Sequence, residues 1–275
     1  MKKYSIVFDN KCAICSITVK TGGFFGLIDE NQSIELERFS DNSIACNVNP
    51  VKACDEMAVI NNETLEVSYG YEGYINLVGV KHKVLASIMA LKSIKRLMNK
   101  VYLFLASNRR VIAPIQPSDS TCSPTLKKTY RFSFIMFMAL YAGIVTYLKG
   151  GIFSTYSEFM FLTGWKLVSI TGLGWLLVGI VYRKSNKWEY WGHLAMIVGV
   201  AMFFQTIGLF GFLFYPSILW LLISMGLSEV VMIWMHYRRM KILGESQLQT
   251  IIWWLILHVT ASLLLLGYII FYYEV

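Results

Sequence analysis

Charge is scarce in this chain. Only 15% of its 275 residues are Asp, Glu, Lys or Arg, while 56% are hydrophobic. A soluble globular domain carries about 25% charged residues, so an ordinary soluble protein is excluded. Histidine is scarcer still: there are four, none at H-x-x-H spacing, which speaks against haem or a di-metal centre. Proline occurs five times, and Pro114, Pro117 and Pro124 fall together among serines and threonines, which marks a linker. No cysteine follows Cys122. A thiol relay across a membrane would therefore need a partner protein's thiols. The opening MKKYSIVFDN has an apolar stretch of only about five residues, too short for the core of a secretory signal, so the N-terminal region is expected to stay where it is made.

The charge that is present is unevenly placed. Residues 1–80 hold 11 acids against 6 Lys/Arg, and residues 81–131 hold 11 Lys/Arg against one acid, Asp119. Residues 132–275 hold 8 Lys/Arg and 5 acids among long apolar runs. The net charge of +8 thus comes from the middle of the chain and the flanks of the apolar runs. It reads as attraction to anionic lipid, and no nucleic-acid-reading motif accompanies it.

The first part of the chain reads as a small α/β domain. Tyr4–Phe8 (YSIVF) is a buried-strand pattern, and a helix is expected from Ala13 to Lys20. Ile34–Phe39 (IELERF) alternates apolar and charged residues as a half-buried strand does. Glu56–Ile60 and Leu65–Ser68 flank Asn61-Asn62 as a hairpin would. Helices are expected from Tyr71 to Val80 and from Val84 to Ser107. The domain is bounded at 1–112, a linker and basic juxtamembrane segment at 113–131, and the apolar part at 132–275.

The apolar part reads as an all-α membrane bundle of five spans: Phe132–Leu148, Phe161–Tyr182, Trp191–Gly208, Pro216–Tyr237 and Thr250–Tyr272. Each is close to the ~20 residues a helix needs to cross the hydrocarbon core. Basic residues alternate between loops. Lys127, Lys128 and Arg131 precede the first span; Arg183, Lys184 and Lys187 follow the second; Arg238, Arg239 and Lys241 follow the fourth. The intervening connections carry Lys149 alone against Glu158, or no base. By the positive-inside rule the N-terminus is cytoplasmic and the C-terminus outside, as in a bacterial inner-membrane protein. Glycines 164, 172, 174 and 179, then 192, 199 and 208, are the small residues expected where helices pack closely or oligomerise.

All five cysteines then lie on the cytoplasmic side, where structural disulfides are rare. Cys12 and Cys15 follow a strand and open a helix. The first sulfur of such a pair sits by unpaired backbone N–H groups and the positive end of the helix dipole. Both favour thiolate, and the second thiol, one turn on, can resolve a mixed disulfide. This makes Cys12 the exposed nucleophile and Cys15 the resolving thiol. Asp9 either caps the helix or exchanges protons with Cys15. The alternatives are a zinc site completed by Cys46 and Cys54, or two unrelated thiols.

The first ~125 residues resemble the DCC family of thiol–disulfide oxidoreductases, small domains related to thioredoxin. The resemblance rests on the strand followed by D-x-x-C-x-x-C (Asp9, Cys12, Cys15), the IELERF strand, and the hairpin MAVINNETLEVSYG with a glycine, Gly70 or Gly73, before the next helix. It closes with VYLFLASNRR, which supplies Tyr102, Ala106, Asn108 and Arg109. It implies a thioredoxin-like fold, a redox-active dithiol that needs no cofactor, and a protein thiol or disulfide as partner. The pair enclosed by the cysteines here is Ala13-Ile14, where the family often has proline first. No proline directly precedes Met57, where thioredoxin-like folds hold a cis-proline. Tyr102, Asn108 and Arg109 are expected to close the domain at the membrane surface, with Arg109 and Arg110 near lipid phosphate.

Within the spans, ionisable residues are the informative ones. Glu229 and His258 each lie nine residues from the inner end of their span, about 13 Å in. They are expected to pair inside the bundle, with Gln205 as a third member. Such a set is a proton or quinone site, an interhelical hydrogen bond, or no contact at all. His193 and His236, at inner ends, are expected to meet headgroups. The leading functional reading is a membrane-anchored thiol–disulfide oxidoreductase. Its competitor is a non-enzymatic subunit of a membrane complex or transporter whose N-terminal domain is a scaffold or redox sensor.

Overall fold

The computed structural model describes residues 3–28, 33–38, 45–115, 124–156, 163–181, 187–248, 250–252, 254–256, 258–259 and 262. The chain divides into two compact units, Met1–Arg131 and Phe132–Val275. Most of the fifth expected span lies outside the described residues, as does Cys122.

The first unit is an α/β domain. Its elements run β1 (Tyr4–Phe8), α1 (Ala13–Phe24), β2 (Ser33–Glu35), α2 (Pro50–Asp55), β3 (Ala58–Asn61), β4 (Val67–Tyr69), α3 (Gly70–Lys81), α4 (Lys83–Ala90) and α5 (Lys92–Ile112). The four strands form one mixed sheet in the order β2-β1-β3-β4. β1 lies parallel to β2, with Val7 opposite Ile34, and antiparallel to β3, with Ile6 opposite Val59. β3 and β4 form the hairpin. Apolar residues of β1 alternate between two clusters, as strand geometry requires. Ile6 packs with Cys12, Cys15, Val19 and Met57, whereas Val7 packs with Ile34, Leu36, Ala58 and Ile60.

Several expected boundaries shift. The IELERF strand stops at Glu35, although Leu36 remains buried. The long helix expected over Val84–Ser107 breaks at Leu91, whose backbone is extended (φ −55°, ψ 131°), leaving α4 and α5 separate. Helix α2 is an addition to the expected elements, and its start carries local helix signals. Asn49 accepts the Lys52 N–H and Pro50 opens the first turn, the preferred cap and first residue of a helix. Of the two expected glycines, Gly70 is the one that opens α3, at φ +59°. A side chain there would strain the backbone and press on the Tyr102 ring, 2.8 Å from Cε1.

The second unit contains the apolar helices. α6 (Lys128–Phe153), α8 (Lys187–Phe214) and α9 (Ile218–Ile242) are long and apolar enough to cross a membrane. α7 (Gly164–Val181) is also apolar but shorter. Buried residues of α9 recur every three or four positions through Leu221, Ser224, Ser228, Met232, His236 and Met240. Its other faces expose Val230 and Trp234. α8 and α9 pack closely. A Cβ on Gly208 would meet the Ser224 hydroxyl and come within 2.9 Å of the Trp220 carbonyl.

The helices extend past the expected spans, and this relocates several charges. Lys149, expected in an outer loop, is buried within α6. Arg131, expected as a lipid-flanking base, is also buried. Arg239 sits on the buried stripe of α9 rather than in a loop.

Candidate functional site

The dithiol stands where β1 meets α1. Cys12 occupies the N-cap position of α1, with an extended backbone and no side-chain cap. Its carbonyl accepts the Ser16 N–H at 2.9 Å, and its own N–H donates to the Asp9 carbonyl at 3.1 Å. Asp9 Oδ1 accepts the Lys11 N–H at 3.1 Å. Asp9 thus shapes the turn before the helix and does not cap it. The other carboxylate oxygen, Oδ2, lies 3.9 Å from the Arg110 guanidinium.

Both thiols are covered. Cys12 is 1% exposed and Cys15 3%, which corrects the expectation of an exposed nucleophile. The cause is tertiary: Cys12 and Cys15 pack in one cluster with Ile6 of β1, Val19 of α1 and the remote Met57 and Leu77. The two thiols nonetheless differ in character. The hydrogen bond donated by Cys15 lowers the Cys12 pKa to about 6 against the opposing effect of burial, and the positive charge of Arg109 adds to the lowering. Cys15 is shifted upward, as the donor in that bond and by its own burial. The arrangement favours one thiolate and one thiol, with the thiolate on Cys12.

The C-terminal turns of α5 approach this site. Arg109 is buried and donates to the Cys54 carbonyl. It therefore belongs to the interior of the domain and not to lipid phosphate, because its position on α5 turns it inward. Asn108 is fully buried and donates to the carbonyls of Phe104 (2.8 Å) and Tyr130 (3.1 Å). The Tyr102 hydroxyl accepts the Met57 N–H at 3.0 Å, and the Tyr74 hydroxyl donates to Met57 Sδ at 3.3 Å. The two rings meet edge to face, with centroids 5.8 Å apart. Burial pushes the Tyr74 phenol up to about 12 and raises Tyr102 also. Both stay neutral beside the thiolate. Tyr74 carries no sequence signal beyond its place in an expected helix, Met57 is marked only by the resemblance, as the residue after the cis-proline position, and Arg109, expected near lipid phosphate, faces the interior.

Cys46 and Cys54 do not join the pair. Cys46 is an exposed free thiol, and Cys54 is disulfide-bonded. Among the described residues no group of three or more His, Cys, Asp or Glu side chains is placed to hold a metal ion. The four-thiolate zinc set of Cys12, Cys15, Cys46 and Cys54 is thus not assembled.

The second unit brings Glu229 and His258 together, with Oε2 and Nε2 3.9 Å apart. Their side chains are 47% and 30% exposed, so the pair lies at the rim of the bundle rather than inside it. Gln205 is buried, and its Oε1 has no hydrogen-bond partner among the described residues. His258 stacks on Trp254, with ring centroids 3.9 Å apart, and Trp254 faces His236 at 6.0 Å. The headgroup placement of His193 and His236 does not hold. Both are buried. His193 Nδ1 meets the Arg239 guanidinium at 2.8 Å, and His236 Nε2 lies 3.5 Å from the Tyr190 hydroxyl. The signal for these pairs was the i, i+3, i+4 stripe of α9, which continues past the apolar run to Arg239 and Met240. No family model, no curated protein and no solved structure matches this chain.

Proposed function

We propose that this protein is a membrane-anchored thiol–disulfide oxidoreductase of the DCC type, with Cys12 as nucleophile and Cys15 as resolving thiol. One observation carries the reading. Cys12, at the start of α1, takes a hydrogen bond from Cys15 and is shifted down to about 6 beside Arg109. A thiolate at neutral pH next to a protonated partner is what dithiol exchange needs. The element order strand, helix, strand, helix, hairpin, helix around a mixed sheet supports a thioredoxin-like core.

In the reductive direction the Cys12 thiolate attacks one sulfur of a substrate disulfide. A mixed disulfide forms, and the substrate's other sulfur leaves as thiolate. Cys15 gives its proton to the departed substrate thiolate and attacks the Cys12 sulfur, which releases the second substrate thiolate and leaves a Cys12–Cys15 disulfide. Two electrons pass to the substrate, and an external dithiol returns them. No zinc or quinone enters these steps. In this reading five spans hold the domain at the inner face of a bacterial inner membrane, with the C-terminus outside.

Burial of both sulfurs favours a second reading, in which the domain is a redox sensor or scaffold for a membrane complex or homo-oligomer. A redox titration separates the two. For the enzyme, the pair forms a disulfide within the glutathione range, and Cys15→Ser traps mixed disulfides through Cys12. If no Cys12–Cys15 disulfide forms at any glutathione ratio, the oxidoreductase reading fails. If the disulfide forms but no substrate is ever trapped, the sensor reading replaces it.

A further inference from the structure

The first unit holds a disulfide besides its dithiol. Cys54 is disulfide-bonded, whereas Cys12, Cys15 and Cys46 are free thiols. On the cytoplasmic side proposed for this domain, a disulfide is usually transient or redox-sensing rather than structural. Cys54 is half-buried, unlike the covered dithiol. It lies in the last turn of α2, a helix of six residues, too short to hold itself by its own hydrogen bonds. Just past the end of α2, Met57 packs in the cluster that covers Cys12 and Cys15. Helix α5 grips both ends of this stretch. Arg109 donates to the Cys54 carbonyl, and the Tyr102 hydroxyl accepts the Met57 N–H at 3.0 Å. Tyr102 and Arg109 lie two turns apart on one face of α5. Asp55 Oδ1 accepts the Thr125 N–H at 2.7 Å. Residues 54–57 thus run from the disulfide to the packing over the dithiol.

We propose that the Cys54 disulfide is a redox-regulatory site: a small thiol such as glutathione cleaves it, which loosens residues 54–57 and uncovers Cys12. One glutathione thiolate attacks a sulfur of the disulfide, forms a mixed disulfide and expels the other sulfur as thiolate. A second glutathione thiolate attacks the glutathione sulfur of that mixed disulfide and releases the remaining protein thiolate. Two glutathiones leave as one oxidised glutathione, and the site gains two electrons and, on protonation, two thiols. With the crosslink gone, α2 is held by the bonds to Arg109 and Thr125 and by the packing of Ala53, which open and reclose locally. The strand side stays fixed. The Met57 carbonyl takes the Gly70 N–H at 3.0 Å, and β3 is paired with β1. This device answers the burial of the dithiol. Both sulfurs are covered while the disulfide is closed, and substrate reaches Cys12 once it opens. The inference rests on the oxidoreductase reading for the use made of that access.

Alkylation of reduced Cys12 by iodoacetamide, in the full chain in nanodiscs, tests the proposal. At a pH well above the Cys12 value of about 6, the rate reports access to the thiolate. Mass spectrometry of the tryptic peptide Cys12–Lys20 reads it. Cys54→Ser should raise the rate by roughly tenfold. Cys46→Ser, which removes a free thiol, should leave it as in the parent. In the parent itself, more reduced glutathione should open the Cys54 disulfide, and after desalting the Cys12 rate should rise in parallel. Hydrogen exchange should speed up over residues 54–57 and stay unchanged in β1 and β3. A Cys54 disulfide that survives at every glutathione ratio overturns the proposal, as does a Cys12 rate indifferent to its opening. So does faster exchange across β1 as well, because the disulfide would then hold the whole domain. The oxidoreductase reading fails separately, by absence of a Cys12–Cys15 disulfide, since this assay needs only reduced Cys12.

Discussion

The two units of this chain bury opposite things. In the first, the sheet and its helices enclose apolar clusters, and two of the charged groups they admit, Asp9 and Arg109, act on one dithiol. In the second, the helices turn Phe137, Leu140, Phe210 and Val230 outward and take His193, His236, Gln205 and Arg239 inward. Water is the solvent that selects the first pattern. Hydrocarbon selects the second, because lipid gives apolar residues no reason to hide and polar ones every reason to find partners. A buried ionisable group therefore means different things in the two units. Around Cys12 it tunes a pKa, and in the bundle its first task is satisfying another buried group.

Substitutions that act on one unit and leave the other intact sharpen this contrast. Cys12→Ser has the largest expected effect. It abolishes reduction of a small disulfide substrate, while insertion and thermal unfolding of the bundle in detergent match the parent. Loss of insertion together with activity would break the separation of the units. Next comes His193→Leu, which removes the 2.8 Å contact between the imidazole and the Arg239 guanidinium. Losing a buried hydrogen bond to a charged group costs up to about 3 kcal/mol. Unfolding in mixed micelles should register that loss, and Cys12 alkylation should not change.

Gly208→Val is a smaller perturbation of the same kind. The added side chain meets Ser224 at the α8–α9 contact, and overpacking there costs about 2 kcal/mol. Gly172, by contrast, has nothing within 4 Å of an added Cβ, so Gly172→Ala should lie within about 0.5 kcal/mol of the parent. The gentlest test is a pH profile. The alkylation rate of Cys12 should rise with pH through a midpoint near 6 and be lost below it, as the thiolate is protonated. Cys15→Ala removes the largest cause of the lowering and should move that midpoint upward. Arg109→Met should move it in the same direction by less. A midpoint unmoved by Cys15→Ala would mean that the sulfurs do not interact.

Local signals served well wherever the chain decides its own conformation. YSIVF, the dithiol at a helix start and the apolar lengths of three long helices are legible because strand pattern, helix initiation and span length are properties of short segments, whereas the choice between Gly70 and Gly73 is made by the positive φ at Gly70. Asn49-Pro50 is a local signal of the same kind for α2. The apolar runs ended short of the true helix ends because hydropathy falls at the first charge, while a helix continues as long as its neighbours can pair with that charge. Lys149 and Arg239 were therefore placed in loops.

The sequence by itself determined that this chain joins a small α/β domain to apolar helices, and that Cys12 and Cys15 lie one turn apart at the start of a helix. Only the tertiary structure decided that both sulfurs are covered, that Arg109 faces inward beside them, and that His193, His236 and Arg239 are core residues of the bundle. The physical reason is distance along the chain. Residues 9 to 15 position one another through local hydrogen bonds. Burial and charge at the dithiol depend on Met57, Tyr74 and Arg109, which reach it only once sheet and helices have packed.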